Sequence, residues 1–417
     1  MLTTLRHRNF ALLWFGGLVS MIGNWVLQIA LPFYVYQITG SALATGLMFI
    51  AGTLPRVLLG PIAGVFADRW DRQRTMVLAN LLLSLILLLL LLVRSRDQLW
   101  LVYLVAVLES SIAQFIGPAE NALLPRLVSE ELLLPANALN ALNNNLAMLI
   151  GPALGGALME WLGLTTVVII DSLSYLLAGV LIGRISQLSQ HKEDRSTTIA
   201  QADPMQAVAM WRQVWRDWLE GLRLMRHDRL IAALFVATGM VAFGEGIFSV
   251  LLLPFLNLLG GGAQEFGWLA TLRGVGGLVG GLVVGQMRDV VKPSRLFPLS
   301  LMIAGLLGLV MFNVPVLLVA MAMLFLWGLP AMGAQVSVQT LLQSHVANHY
   351  QGRIFGAYGT TAALLVLCGQ GLASGLGDSI GVIPLLNIDA VLYLSAGVLA
   401  LAMLWSIRVG TEQIHIG

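Results

Sequence analysis

Residues 170–181 read Ile-Asp-Ser-Leu-Ser-Tyr-Leu-Leu-Ala-Gly-Val-Leu, and residues 388–399 read Ile-Asp-Ala-Val-Leu-Tyr-Leu-Ser-Ala-Gly-Val-Leu. The two segments are identical at eight of twelve positions and lie 218 residues apart. Other collinear matches recur at offsets of 218–222, among them Leu-Pro-Phe at 31–33 and again at 253–255. The chain therefore contains an internal repeat, and two parallel repeats are typical of a transporter that rocks around a central site.

The composition around this repeat is that of a membrane protein. Of 417 residues, 58% are apolar or aromatic and 11% are charged, and the mean hydropathy is +0.85. Soluble domains carry about 25% charged residues, so the composition excludes a soluble enzyme and a disordered protein. The net charge of +2 is too small for a nucleic-acid-binding surface. A single cysteine, Cys368, excludes an internal disulfide and a cysteine-based zinc site.

Long apolar runs predict an all-α integral membrane fold with twelve transmembrane helices in two pseudo-symmetric six-helix halves. The runs lie at 10–36, 42–67, 75–93, 98–123, 137–161, 164–184, 229–258, 264–287, 296–312, 315–342, 354–377 and 384–407. With a cytoplasmic N-terminus, 19 of the 23 Lys and Arg residues fall on the cytoplasmic side. Only Arg94 and Arg96 fall outside, and Arg56 and Arg273 lie within spans. This asymmetry predicts that both termini are cytoplasmic.

A single long polar stretch separates the two sets of six runs. We expect an N-terminal half at 1–184, a cytoplasmic linker at 185–228 and a C-terminal half at 229–417. The linker contains Trp211, Trp215 and Trp218 at helical spacing, with arginines on the other faces. This pattern predicts an amphipathic helix along the inner leaflet, chiefly as a strut between the halves and alternatively as a regulatory element.

After the second run the chain reads Gly64-Val65-Phe66-Ala67-Asp68-Arg69-Trp70-Asp71-Arg72-Gln73-Arg74. Alternating acids and bases suit ion pairs that form in one conformation and break in another. The segment resembles the signature loop of the major facilitator superfamily, which has a glycine, an Asp-Arg pair and further basic residues. The resemblance implies conformational gating by Gly64, Asp68, Arg69, Arg72 and Arg74, whereas a membrane anchor would explain the arginines but not Asp68.

Other segments resemble one branch of that superfamily, the macrolide-efflux and related drug–proton antiporters. They include Gly117-Pro118-Ala119, Gly151-Pro152-Ala153-Leu154-Gly155-Gly156 and Gly352-Arg353-Ile354-Phe355. The resemblance implies export of amphipathic or hydrophobic molecules by proton antiport with alternating access. The branch also contains siderophore and lysophospholipid transporters, so these remain the alternative, without required proton coupling.

Ionisable residues at bilayer depth are costly and are therefore candidates for function. Glu109 in span four and Glu245 in span seven are the proton-coupling candidates, because the resemblance implies that these spans line the cavity. Arg56 is the candidate ion-pair partner of Glu109, and Arg273 is that of Glu245. A purely structural pair of Glu109 with Arg56 is the alternative to a coupling role for Glu109. The matched Asp171 and Asp389 favour a structural role, and Glu120 lies near the inner surface.

The resemblance implies that spans one and ten also line the cavity, so uncharged residues on spans one, four and ten are candidate substrate contacts. They are Asn24, Trp25 and Gln28 on span one, Gln114 on span four, and Gln335 and Gln339 on span ten. No nucleotide-binding G-x-x-x-x-G-K-[ST] motif or metal-ligand spacing occurs in the sequence. We therefore expect no cofactor, no metal and no enzymatic activity. The expected partners are a small-molecule substrate, protons and the lipid bilayer, with no nucleic acid, and we expect a monomer in the bacterial inner membrane.

Overall fold

The computed structural model describes residues 4–186, 215–216, 218–219, 223, 228–287 and 290–405. For 61–69, 348–349 and 405 it describes the helical backbone alone. The described residues form helices and short connections, without a β-strand. Eleven of the helices are long and apolar enough to cross a membrane.

One of these eleven helices is broken at Gly163, which accounts for the twelve predicted spans. The helical stretch Leu133–Gly183 is 51 residues long, about twice the length that a bilayer requires. Gly163 has φ 73° and ψ 176°, which breaks the helix. Glycine adopts such a positive φ without the steric cost that a Cβ would bring. The stretch is therefore two spans, α5 (133–162) and α6 (164–183), and the described part of the chain holds twelve.

The other helices agree with the predicted runs to within a few residues. Their bounds are α1 Arg8–Thr39, α2 Ala42–Arg69, α3 Arg72–Leu87 with a 3-10 turn at Leu88–Leu92, α4 Leu99–Leu127, α7 Arg229–Leu258, α8 Ala263–Met287, α9 Pro293–Asn313, α10 Leu317–His345, α11 Asn348–Ile380 and α12 Val382–Trp405.

The chain separates into two compact units. One unit comprises Met1–Leu31 with Ala51–Val214, and the other comprises Pro32–Ile50 with Trp215–Gly417. In the first unit α3 packs against α4 and the α5–α6 stretch; in the second, α7 packs against α11 and α12, and α10 against α8 and α9. The second unit thus includes a segment from early in the chain, namely the end of α1, the turn at Gly40 (φ 64°) and the start of α2.

Asp378 of α11 attaches that early segment to the second unit. One carboxylate oxygen accepts a hydrogen bond from the Ala42 amide at 2.9 Å, and the other accepts from the Ser41 hydroxyl at 2.8 Å. The N-terminal amides of a helix have no partner within the helix. Asp378 therefore acts as an N-cap for α2 that is supplied from a different helix.

Small residues allow the helices within each unit to approach closely. A Cβ on Gly155 of α5 would lie 2.7 Å from the Val26 carbonyl oxygen of α1. A Cβ on Gly369 of α11 would overlap the Phe243 carbonyl oxygen of α7. Close backbone approach through small residues is the usual means of helix packing in membranes.

The predicted amphipathic helix lies largely outside the described residues. Of its predicted aromatic face, Trp215 and Trp218 are described, and their rings meet edge to face with centroids 4.9 Å apart. The indole N–H of Trp218 donates to the Thr361 hydroxyl of α11 at 3.1 Å. This aromatic residue therefore packs on the second unit.

Candidate functional site

Glu109 of α4 is held by an amide side chain in the first unit. The Asn24 side chain of α1 donates to the Glu109 carboxylate at 3.2 Å and contacts the Tyr175 hydroxyl of α6 at 3.0 Å. Gln28, one turn later on α1, donates to the Asn24 side-chain oxygen at 2.6 Å. Three of the predicted residues, on two helices, thus belong to one hydrogen-bonded chain.

Arg56 does not form the predicted structural pair with Glu109. Both residues are described, and no ion pair within 4 Å joins them. Arg56 is exposed and acts on the Glu109 carboxylate only through space. Asn24, and not Arg56, supplies the hydrogen bond to the Glu109 carboxylate.

The other candidates in the first unit have local partners. Gln114 donates to the Ser110 carbonyl oxygen of its own helix at 2.9 Å. Trp25 packs its Cβ against Gly151, so part of its side chain serves the contact between α1 and α5. Glu120 accepts a hydrogen bond from Asn140 at 2.9 Å. These residues lie outside the chain of bonds around Glu109.

Glu245 of α7 forms an ion pair in the second unit. The Arg273 guanidinium of α8 donates to one carboxylate oxygen at 2.8 Å, and the Tyr393 hydroxyl of α12 donates to the other at 3.4 Å. The guanidinium carbon lies 4.3 Å from the ring centroid of Trp327 and 5.5 Å from that of Phe248. The pairing of Arg273 with Glu245 that the sequence suggested is therefore present. The sequence did not suggest the two aromatic rings that lie against the guanidinium.

This ion pair borders a cavity of about 310 Å³ inside the second unit. Its walls come from α7 to α12, and Thr238, Ser300 and Gln335 add polar groups to a mainly apolar lining. The side chains of Arg273 and Glu245 are 30% and 31% exposed, so both can be reached from the cavity. A concave, mostly apolar space with a few polar groups is typical of a small-molecule site. Gln339 is exposed and is not part of this lining.

Asp171 and Asp389 lie beside the two acid clusters, and they contact glycines of the neighbouring helices. Gly23 of α1 faces Asp171 so closely that a Cβ would overlap its carboxylate oxygen, and Gly244 of α7 faces Asp389 in the same way. The Ser174 hydroxyl donates to Asp171 at 3.1 Å. Both aspartates are buried. They thus connect α6 to α1 and α12 to α7.

The predicted gating loop is described only in part. Gly64, Asp68 and Arg69 are described by their helical backbone alone. Asp71 caps α3 by accepting from the Arg74 amide at 2.8 Å, and the Arg74 side chain is exposed, whereas that of Arg72 is half-buried.

Comparison with known proteins indicates the family of the chain that contains the clusters around Glu109 and Glu245. The family model described as Major Facilitator Superfamily matches residues 13–370 and 234–414. The chain belongs to the major facilitator superfamily. It is therefore a multi-pass membrane transporter of small molecules and not an enzyme.

Relatives of this transporter include drug and siderophore transporters. It is 28% identical to macrolide efflux protein A of Streptococcus pyogenes over 390 residues, which cover 90% of each chain. It is 23% identical to the staphyloferrin A transporter of Staphylococcus aureus, over 89% of this chain and 90% of that protein. The crystal structure of a bacterial homologue of the iron transporter ferroportin, in an inward-facing state, shares the fold. Its TM-score is 0.75 and its sequence identity 17%, with coverage of 96% of this chain and 99% of that one.

Sequence analysis missed three residues of the transporter's clusters, Tyr175, Tyr393 and Trp327. The two tyrosines occupy matched positions of the repeat, four residues after Asp171 and Asp389. A repeated Asp-x-x-x-Tyr places both side chains on one helix face, so the repeat itself carried the signal. Trp327 had no comparable signal, because an aromatic residue in an apolar helix is ordinarily core or lipid-facing.

Proposed function

We propose that this transporter exports amphipathic or hydrophobic small molecules, macrolide-like drugs among them, in exchange for protons. The similarity to macrolide efflux protein A over 90% of both chains supports the substrate class. The internal repeat supports alternating access, in which two halves move as bodies around a central site. In this proposal the halves are 1–184 and 229–417, joined by the linker 185–228.

Glu109 is the favoured site for the coupled proton, and this choice rests on the groups that contact its carboxylate. Its carboxylate bonds the Asn24 amide, and neither Arg56 nor another described cation lies within 4 Å of it. A carboxylate at bilayer depth without a paired cation is costly. Taking up a proton removes that charge, so protonation and release can alternate with the two access states. Glu245 is the second candidate, but its charge is balanced by Arg273.

The remaining parts of the proposal follow the positive-inside rule and the signature loop. Both termini lie in the cytoplasm of a bacterium, and the protein acts as a monomer in the inner membrane. Gly64, Asp68, Arg69, Arg72 and Arg74 stabilise one access state. Asn24, Trp25, Gln28, Gln114, Gln335 and Gln339 contact the substrate.

Siderophore transport is the second candidate function, favoured by the similarity to the staphyloferrin A transporter. Lysophospholipid transport without proton exchange is a further alternative within the same fold. Both predict substrates that differ from drugs in charge and size, so a panel of compounds separates them.

The test is uptake into everted membrane vesicles that contain the full chain. Erythromycin, a cationic dye, an iron-loaded siderophore and a lysophospholipid are each offered with and without an imposed pH gradient. We expect gradient-dependent uptake of erythromycin or the dye. Glu109→Gln should abolish the gradient dependence, whereas Glu130→Gln, which changes an exposed acid near the start of α5, should transport like the wild type.

Each outcome decides between the candidates. Gradient-independent movement of lysophospholipid alone, or uptake restricted to the siderophore, would contradict drug–proton antiport. Unchanged gradient-driven drug uptake in both Glu109→Gln and Glu245→Gln would remove the two acids from the proton path while leaving drug export intact.

A further inference from the structure

The ion pair of Arg273 and Glu245 has spare hydrogen-bonding capacity on its cationic side. A guanidinium carries five N–H donors in a planar fork. Among the described residues, Arg273 gives one hydrogen bond, to Glu245. Both oxygens of Glu245 are engaged, one by Arg273 and the other by Tyr393. An additional acceptor can therefore join this pair through the unused N–H groups of Arg273, whereas an additional donor would have to share a Glu245 oxygen that already accepts a hydrogen bond.

The surroundings hold the guanidinium in place and leave it accessible. Trp327 and Phe248 lie against it at 4.3 and 5.5 Å from their ring centroids. A guanidinium on aromatic rings keeps its in-plane N–H edge available for a carboxylate. Arg273 is also 30% exposed, and it borders the cavity of about 310 Å³. Asp389, the other acid near Arg273, acts on it through space and forms no ion pair with it within the described residues.

The shape and lining of the cavity define the rest of the ligand. Phe297, Trp327, Tyr358 and Tyr393 supply aromatic walls, and Ser300 and Gln335 supply polar edges. A volume of about 310 Å³ is at the small end of ligand sites, so it suits one ring system and a short polar arm.

We propose that this cavity is a substrate subsite in which the Arg273 guanidinium binds the carboxylate of an amphipathic, ring-containing molecule. Glu245 limits the affinity of the subsite for anions, because it shares the same guanidinium. The inference rests on the proposed transport function for its biological meaning and concerns those amphipathic substrates that carry a carboxylate. Its test is a binding measurement that requires no transport.

The experiment uses three probes that share one aromatic ring system. They are dansylglycine, which carries a carboxylate, its methyl ester, which is neutral, and dansylcadaverine, which carries an ammonium group. Binding to the full chain in phosphatidylcholine nanodiscs is measured by calorimetry at pH 7, with empty nanodiscs to subtract partitioning into lipid. We expect the acid to bind about tenfold more tightly than the ester, since hydrogen bonds to a charged group have this magnitude.

The variants separate a binding role from a structural one. Arg273→Gln should remove the preference for the acid, and Glu245→Gln should increase acid affinity severalfold without changing ester affinity. A protein that had merely lost structure could not gain affinity for one probe. If Arg273→Gln does not fold, the neutral pair E245Q/R273Q replaces it and should bind acid and ester equally. Arg94→Gln, which removes an exposed cation outside the cavity, should match the wild type.

Three results would overturn the subsite. They are equal binding of acid and ester by the wild type, an acid preference that survives without Arg273, and tighter binding of dansylcadaverine than of dansylglycine. Failure of the proposed export function is seen separately, as loss of gradient-driven uptake in vesicles while the acid preference in nanodiscs persists.

Discussion

Asn24 and Glu245 occupy equivalent positions in the two units. Each follows a glycine, Gly23 or Gly244, that packs against a buried aspartate. Each side chain also bonds the tyrosine four residues after that aspartate, with Asn24 to Tyr175 at 3.0 Å and Glu245 to Tyr393 at 3.4 Å. The same arrangement of a glycine, a buried aspartate and a tyrosine therefore surrounds an amide side chain in one unit and a carboxylate in the other.

This equivalence means that Glu109 and Glu245 do not occupy matching positions in the two units. The sequence predicted the same role in proton coupling for Glu109 and Glu245, but Glu109 comes from α4 and contacts the Asn24 side chain. The amide of Asn24 can donate to Glu109, whereas a carboxylate in its place would repel it. This arrangement thus supports a hydrogen bond from an amide to a carboxylate in one unit and an ion pair in the other.

The first prediction concerns the energetic coupling of Glu245 and Arg273. Either single change to Gln should lower the free energy of unfolding by about 1 to 3 kcal/mol, because it leaves a largely enclosed charge without its partner. The double variant should lose less than the sum of the singles. Thermal unfolding midpoints of the four proteins in one detergent form the cycle, and additive losses would mean that the pair contributes no coupling.

The second prediction uses two glycines of α11 that lie two residues apart. Gly369→Ala should destabilise the protein by about 1 to 3 kcal/mol, because the new Cβ would overlap the Phe243 carbonyl oxygen. Gly371 has open space around it, so Gly371→Ala should raise stability by a few tenths to about 1 kcal/mol through helix propensity. Equal midpoints for the two variants would contradict the close packing of α7 and α11.

The third prediction concerns Asp228, which caps α7. One carboxylate oxygen accepts from the amides of Leu230 and Ile231 at 2.8 and 2.9 Å, and the other meets the His345 ring nitrogen at 2.9 Å. Asp228→Ala should lower stability by about 1 kcal/mol or more through loss of the cap. Asp228→Ser keeps a capping oxygen but not the His345 contact, so it should fall between the wild type and Asp228→Ala.

The pH dependence of this effect has a defined sign. Burial raises the pKa of Asp228, but the hydrogen bonds from His345, Ile231 and Leu230 outweigh burial, so the net pKa lies below its ordinary value. A carboxyl with a lowered folded-state pKa contributes stability above its unfolded pKa of about 4 and loses it as the pH falls further. The gap between wild type and Asp228→Ala should therefore be full at pH 5 and shrink toward pH 3. A gap that widens between pH 5 and pH 3 would refute this assignment.

The fourth prediction concerns the cap that Asp378 gives to α2. Asp378→Ala should speed hydrogen exchange of the Ala42 amide by about fivefold, the equivalent of a lost cap of about 1 kcal/mol, whereas the Leu43 amide keeps the Ser41 hydroxyl as an acceptor at 3.2 Å. Ser379→Ala is the control, because among the described residues the Ser379 hydroxyl bonds only the Leu376 carbonyl oxygen of its own helix. The measurement is exchange followed by mass spectrometry of a peptide spanning 40–48, and equal rates in both variants would exclude the cap.

The sequence predicted the number and extent of the spans, because a bilayer requires about 20 apolar residues for each crossing. It could also pair Arg273 with Glu245, since two opposite charges at similar depth on successive helices stabilise each other. It could not decide between Arg56 and Asn24 as the partner of Glu109. That choice depends on the rotation of α1 and α2 about their axes, which a nearly uniform apolar pattern leaves undetermined.

By itself the sequence determined a helical membrane protein built from a repeat, because apolar length, charge asymmetry and the Asp-x-x-x-Tyr pairs are local properties of the chain. Only the tertiary structure decided that Gly23 and Gly244 bring α1 and α7 against those aspartates. Only the tertiary structure showed that Asn24 and Glu245 occupy equivalent positions in the two units, and that the Arg273 guanidinium lies over the Trp327 ring. The physical reason is that such contacts depend on interhelical distance and rotation, which close packing of side chains far apart in the chain determines.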